Sequence, residues 1–487
     1  VGIVIQQSFK NTLILFLGFA IGGINVLFLF THFLDKDYYG LITFLLSAAN
    51  LILPLMVLGM QHTIVKFFSS YKSKQQQDAF LVSSILLPLL VIIPIGLIGS
   101  FFYEFIADLL SEKNLIIKKY TYLIFLVSIF MGYFEIFYSW TKVQFHSVVG
   151  NFIKEVFVRL MTSFLLVAVF LGWLSNDQFI YAVVVVYFLQ MFIMFVYAIN
   201  IYKPVFSLKF PDNIKEIWSF SIYIIMAGSA GTILLEIDKF MIPQLKQIAE
   251  VAYYTVGIYI ATVVALPTRA MQQIVTPITA KEMNSNNLKE IEKLYKATSI
   301  NLLIMGGLLF LLINLNLTDM YRIINKPEFS NGFWIVLFIS MAKLYEMAMG
   351  TGNAIIVNSI YYRIYFYLSI AMAVTVILMN KWLISLMGIN GAALATFLVV
   401  FIFNTIKIGF ISWKYKLQPF TMQSVKLTFI TALFFLLLLK LNFNMNPFVS
   451  IIIKSTFIAI TYFLIVYWLQ ISADFNGFVN NLIKKFL

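Results

Sequence analysis

Of the 487 residues in this chain, 61% are apolar and only 11% are charged. A soluble domain of that length cannot cover its surface with so few charges, whereas a surface facing lipid needs none. Cys is absent, which excludes disulfides, thiolate nucleophiles and Cys-held metals. The formal charge of +13 then points to loops facing anionic lipid or to an anionic substrate, not to nucleic acid.

A helix needs about 20 mostly apolar residues to cross the hydrocarbon of a bilayer. The chain supplies such stretches one after another, about fourteen in all, so its predicted class is an all-α polytopic membrane protein. The first six are expected at 9–33, 39–65, 80–102, 120–140, 152–174 and 179–201. The first is too long for the apolar region of a cleavable signal peptide and lacks a small-x-small cleavage site. A cytosolic connector at 202–216 holds Lys203, Lys209 and Lys215 with two Pro. Later spans are expected at 217–235, 251–277, 298–317, 333–357, 362–380, 386–410, 424–441 and 447–470. Between the eighth and ninth, 280–297 reads as a short surface helix. Asn287 caps it with Glu290 three residues on, and Ile291, Leu294 and Tyr295 give it an interfacial face.

Lys and Arg favour alternate loops by roughly two to one, which places both termini in the cytoplasm. Lys440 counts among the outside cations. Asp35-Lys36 after the first span is echoed by Asp238-Lys239 after the seventh. An even offset of that kind makes the halves parallel repeats about an axis along the membrane normal.

Ionisable residues inside spans are costly and therefore candidates for function. Arg269 sits within the eighth span without an acid one turn away. Lys343 and Glu346 lie three apart on one face of the tenth, as a neutralising pair or as a cavity cation with its tuning acid. Glu135 stands in the fourth among Tyr133, Phe134, Phe137 and Tyr138 as a carboxylate able to bind a proton or a cation, or to bond a neighbouring helix. Lys154, Glu155 and Arg159 open the fifth, with Glu155 and Arg159 four apart, as an interfacial anchor or a basic entrance. Glu236, Asp238 and Lys239 read as an interfacial cap, Lys407 and Lys426 as snorkelling side chains, and Lys454 as deeper. His32, His62 and His146 fall near span ends as interfacial polar groups.

The set is mainly cationic, which suits a phosphate or diphosphate and gives Arg a bidentate partner. A proton pump or cation exporter would carry more deep carboxylates. No phosphate-cradling Gly-rich loop and no His-Glu-x-x-His is present. Asp35-Lys36-Asp37 has the D-x-D form used by some membrane glycosyltransferases, but reads here as a turn between helices.

Several motifs in order carry a resemblance. They are Tyr39-Gly40 followed by Leu58-Gly59, Ile237-Asp238-Lys239-Phe240-Met241-Ile242, Val256-Gly257-Ile258-Tyr259, Pro277, and Gly388-Ile389-Asn390-Gly391-Ala392-Ala393-Leu394-Ala395-Thr396. With the fourteen-span plan, they make the chain resemble Wzx-type polysaccharide and O-antigen flippases. That group is a branch of the multidrug/oligosaccharidyl-lipid/polysaccharide (MOP) superfamily, which shares its fold with MATE exporters. The resemblance implies two six-helix lobes in a V around a central cavity, at 1–201 and 217–416, joined by the connector 202–216. Two extra helices and a cytosolic tail follow at 417–487.

It also implies a transporter, not an enzyme, in a bacterial cytoplasmic membrane. Its substrate would be an undecaprenyl-diphosphate-linked oligosaccharide for O-antigen, capsule or exopolysaccharide, passed on to polymerase and chain-length machinery. Arg269, Lys343, Arg159 and Lys154 are the expected substrate cations, and Glu135 and Glu346 the candidates for coupling a proton or sodium ion. No metal or organic cofactor is expected. The competing readings are a drug or metabolite exporter of the same fold, a membrane glycosyltransferase or polymerase, and a lipid II flippase.

Overall fold

Hydrocarbon offers no water to the backbone, so a chain this apolar satisfies its amides within helices. The computed structural model describes residues 2–206, 211, 213–439, 443 and 445–486, and every regular element among them is helical. Lys209 and Lys440 lie outside the described residues. The chain divides into two compact units, Val1–Thr255 and Val256–Leu487.

In the first unit α1 (Gly2–Ile24) passes through a π-helical turn, Asn25–Leu29, into α2 (Phe30–Phe33). Asp35 caps α3 (Lys36–Met56) by accepting from the Asp37 amide at 2.8 Å, so the D-x-D is a turn. The second expected span is broken. Leu58 and Gly59 take φ of 51° and 63°, and α4 (Met60–Phe67) starts afresh after them. Two successive left-handed residues cannot continue a right-handed helix. The third span is likewise two helices, α5 (Lys74–Leu86) and α6 (Leu89–Phe101), meeting at Pro88, whose ring removes a helical hydrogen bond. The stretch between the third and fourth expected spans contains α7 (Tyr103–Ser111).

Next come α8 (Ile116–Val143), α9 (Ser147–Phe152), a second π turn at Ile153–Phe157, and α10 (Val158–Phe170). A capping box between Ser175 and Gln178 starts α11 (Asn176–Ile201). After the connector, α12 (Ile214–Leu245) runs well past the expected end of its span. Glu236, Asp238 and Lys239 are therefore inside a helix and not at its cap. Glu236 and Lys239 pair at 2.5 Å, and buried Asp238 takes a hydrogen bond from Tyr254.

Phe44 of α3 stacks on Phe240 of α12 with ring centroids 5.6 Å apart, so α12 packs with the first unit and the boundary between units comes later than the connector. Asn114 secures the turn that follows α12. Its amide donates to Pro243 O at 2.6 Å and Lys246 O at 2.9 Å, and it accepts from Ile248 N at 2.9 Å. Ile248 O in turn lies against Gly40, where any Cβ would strike it. Gly40→Val is expected to lower stability by about 1–3 kcal/mol, read as a fall in the thermal midpoint of the purified protein, with Gly40→Ala changing it in the same direction.

The unit boundary falls inside α13 (Ala249–Thr262). A 3-10 turn at Val263–Ala265 and Pro267 separate it from α14 (Leu266–Asn284), so the eighth expected span is two helices. The ninth is longer than expected. α15 (Leu288–Ile324) is 37 residues and absorbs the supposed surface helix, with Asn287 still its cap and Ile291 and Tyr295 wholly buried. The tenth splits into α16 (Phe333–Ala348) and α17 (Gly352–Val357) around Gly350, whose φ is 53°. α18 (Tyr362–Met387) and α19 (Ile389–Tyr415) meet at Gly388, and Gly391 packs so closely on the Leu383 carbonyl that no Cβ fits. The unit closes with α20 (Met422–Leu438), α21 (Pro447–Trp468) and α22 (Ala473–Phe486).

Among the described residues, eleven helices are long and apolar enough to cross a membrane. The remaining expected spans are helical but interrupted, at 147–170 and 333–357, or shorter, at 422–438. The chain is a multi-pass membrane protein. Each unit has its own apolar core, around Phe80, Phe134 and Trp140 in the first and around Leu303, Leu311 and Tyr462 in the second.

Candidate functional site

In the first unit, charge gathers where α8 passes the second π turn. Lys154 projects from that turn and donates to Glu135 of α8 at 2.6 Å. Glu135 is thus bonded to a neighbouring helical segment, one of the two alternatives that the sequence left open. Lys142, two turns on, sits 3.8 Å from the centre of the Tyr138 ring. The fields of Glu135, Lys142 and Lys154 all reach His62 of α4.

Arg159 has a separate partner. It donates to Glu155 Oε2 at 2.8 Å and to Glu155 O at 2.6 Å, in the spacing that the sequence offers. Nearby, Asn25 donates to Arg159 O at 2.8 Å and accepts from Ser163 at 2.6 Å, joining the first π turn to α10. Gly18 keeps room for the guanidinium, since a Cβ there would lie 2.6 Å from Arg159 Nη1.

The second unit holds a polar cavity of about 380 Å³. Its walls include Gln272 and Thr276 of α14, Thr298 of α15, Glu346 of α16, Asn358 and Tyr365. Gly350, at the break between α16 and α17, is also in the wall. Lys343 donates to Glu346 at 3.0 Å, and both remain partly exposed, at 22% and 41%. Lys407 does not snorkel. It is buried, donates to Asn353 Oδ1 at 3.3 Å, and lies 4.9 Å from the centre of the Tyr365 ring. The Thr351 hydroxyl, also in the wall, is buried without a partner among the described residues.

Arg269 lies on α14 one turn before Gln272 and is exposed. Among the described residues it has no ion pair. The structure therefore brings Lys343 and Glu346 together, and Lys154 and Glu135, while Arg159 pairs within its own helix.

Sequence reasoning missed Asp319. In α15 this carboxylate accepts from Lys454 at 2.8 Å and Ser450 at 2.6 Å of α21, with Arg322 at 3.4 Å on its other oxygen. The available signal was the spacing, since Asp319 and Arg322 are three apart and Ser450 and Lys454 four apart, each on one helix face. Ending the ninth span at 317 placed Asp319 in a loop and hid it. Among the described residues, no group of three or more His, Asp or Glu could hold a metal ion.

Residues 8–280, more than half of the chain, match the family described as "Polysaccharide biosynthesis protein". The chain belongs to that family. None of the curated proteins matches the sequence. Among solved structures, this family member is similar to a lipid II flippase, MurJ, in an inward closed conformation. The TM-score is 0.71 at 14% identity, over 96% of this chain and 100% of that one. It is also similar to an inward-facing multidrug resistance MATE transporter of the MOP superfamily, with a TM-score of 0.54 at 12% identity over 85% and 95% of the two chains. A Vibrio cholerae MATE transporter, VcmN, gives 0.53 at 12% identity over 84% and 96%. At such identities the likeness shows the fold. This family member shares its fold with those flippase and MATE transporter structures.

Proposed function

We propose that the chain is a lipid-linked oligosaccharide flippase. It moves an undecaprenyl-diphosphate-linked glycan from the cytoplasmic to the outer leaflet of a bacterial cytoplasmic membrane by alternating access, for O-antigen, capsule or exopolysaccharide. The observation that carries this reading is a MurJ-like fold over 96% of a chain of the polysaccharide biosynthesis family. The physical need is plain: a diphosphate and sugar hydroxyls lose their hydration in hydrocarbon, at a cost that bars passage unless protein groups replace the water. The chain offers such groups in the cavity with Lys343 and Glu346, and around Lys154. Arg269, Lys343, Lys154 and Arg159 hold the anionic headgroup. Glu135 and Glu346 tune two of these cations and are the sites at which a proton or sodium ion couples. Polymerase and chain-length machinery receive the product.

The test is deletion of the gene in its host. Surface polysaccharide is expected to vanish while lipid-linked glycan accumulates on the cytoplasmic leaflet, and Arg269→Ala at normal membrane abundance should reproduce at least a tenfold part of that loss. Normal surface glycan with lost drug efflux would instead establish an exporter, the reading that the MATE likeness favours. Glycan units that reach the outer leaflet but stay unjoined would establish a polymerase.

A further inference from the structure

A second cavity, of about 340 Å³, opens at the C-terminal end of α15, away from every residue assigned above. Arg322, Lys326, Asn325, Ser330 and Tyr321 are among the residues lining it. Its charge balance is unusual. The one carboxylate beneath it, Asp319, is already saturated on Oδ2 by buried Lys454 and by Ser450, and meets Arg322 only through Oδ1 at 3.4 Å. Half of the Arg322 side chain remains exposed, and among the described residues no carboxylate lies within 4.0 Å of Lys326. Glu328 follows on the 3-10 turn Pro327–Gly332, exposed and outside the lining.

Neutral polar groups complete the wall. The Tyr321 hydroxyl is buried and unpartnered among the described residues, though the residue is only 7% exposed, so a hydrogen-bonding capacity goes unused. Asn325 ends α15 in the left-handed region at φ 53°, and the free carbonyls of that last turn favour cations held there. The volume is at the small end of ligand pockets, which run from about 300 Å³ upwards. A tetrahedral anion accepts the fork of an Arg, the point charge of a Lys and hydroxyl donors at once. The last turn of a membrane-spanning helix also lies at the depth of lipid headgroups.

We propose that this cavity is a phosphate-binding site, in which Arg322 and Lys326 hold the anion; the Ser330 hydroxyl is already spent on Pro327 O at 2.5 Å and the Tyr321 hydroxyl is packed against Gly332, so the two cations carry the binding. It is independent of glycan transport. The test uses the purified full-length chain in detergent micelles and reads its thermal midpoint. One arm is titrated with inorganic pyrophosphate. The other is titrated with dioleoylphosphatidylglycerol, against dioleoylglycerol, which has the same acyl chains and no phosphate.

A saturable rise in the lipid arm alone assigns a headgroup, and one in the pyrophosphate arm alone assigns a free phosphate. In either, the double variant Arg322→Gln/Lys326→Gln is expected to shift half-saturation on the order of tenfold. Arg322 also braces Asp319, so Lys326→Gln provides the check that leaves that contact in place, with a smaller shift in the same direction. Identical titrations of the wild type, Lys326→Gln and the double variant in both arms would overturn the proposal.

Discussion

Asp319→Ala is expected to destabilise the protein by about 3–5 kcal/mol, the cost of leaving a buried charge without its partner. Asp319 and Lys454 are each 2% exposed at the side chain, and their contact at 2.8 Å joins α15 to α21. Removing the carboxylate strands a buried ammonium group whose surroundings include the Phe443 ring, 5.8 Å from Nζ. Lys454→Ala should cost less, because Arg322 and Ser450 still face Asp319. The decisive comparison is Asp319→Leu with Lys454→Met. A buried ion pair replaced on both sides by apolar residues is often neutral, so the double variant should recover most of the loss. Unfolding in micelles, followed by near-ultraviolet circular dichroism or a thiol-free dye, measures all three. A single variant as stable as the wild type would show that the pair is hydrated.

Lys343→Ala is expected to reduce transport roughly tenfold or more without lowering membrane abundance. The side chain lies at 3.0 Å from Glu346, and Glu346 belongs to the wall of the 380 Å³ cavity. Losing the ammonium leaves Glu346 unpaired beside the cavity, with Lys407 on Asn353 a remaining cation near this wall, which weakens the attraction for a diphosphate. Lys343→Arg should retain most activity, since it keeps the charge. Glu346→Gln separates two roles: if the acid only tunes Lys343, the variant's transport still responds to the cation gradient, whereas loss of a coupling acid makes the variant indifferent to that gradient. Cell-surface glycan per molecule of membrane-bound protein is the measurement. Equal export by Lys343→Ala and the wild type would remove Lys343 from the binding set.

Length and apolar composition made the helices legible, because hydrocarbon leaves the backbone no alternative. Their interruptions were only half visible. Gly59, Pro88, Gly350 and Gly388 stand in the sequence at four of the breaks, but a glycine within an apolar run is ordinary, and only the backbone angles show which ones end a helix. The two π turns have no sequence mark. The length of α15 was hidden because its polar first turns look like a separate surface helix, although Ile291 and Tyr295 are buried in a core of their own.

Local charge pairs followed from spacing, as with Glu155 and Arg159 or Lys343 and Glu346. Pairs between helices did not. Lys154 and Glu135 are 19 residues apart, and Asp319 and Lys454 are 135 apart, distances over which no periodicity carries information. The same limit applied to Lys407, whose partners Asn353 and Tyr365 come from α17 and α18.

Transbilayer movement of a headgroup is the claim on which the functional account rests, and reconstitution tests it without the host. The purified chain is placed in proteoliposomes carrying a fluorescent undecaprenyl-diphosphate-linked oligosaccharide on one leaflet, and an impermeant quencher reports arrival on the other. The account predicts transfer well above protein-free vesicles for the wild type and a marked slowing in Arg269→Ala and Lys343→Ala. Folded wild-type protein that moves the lipid no faster than empty vesicles, under either a proton or a sodium gradient, would contradict it.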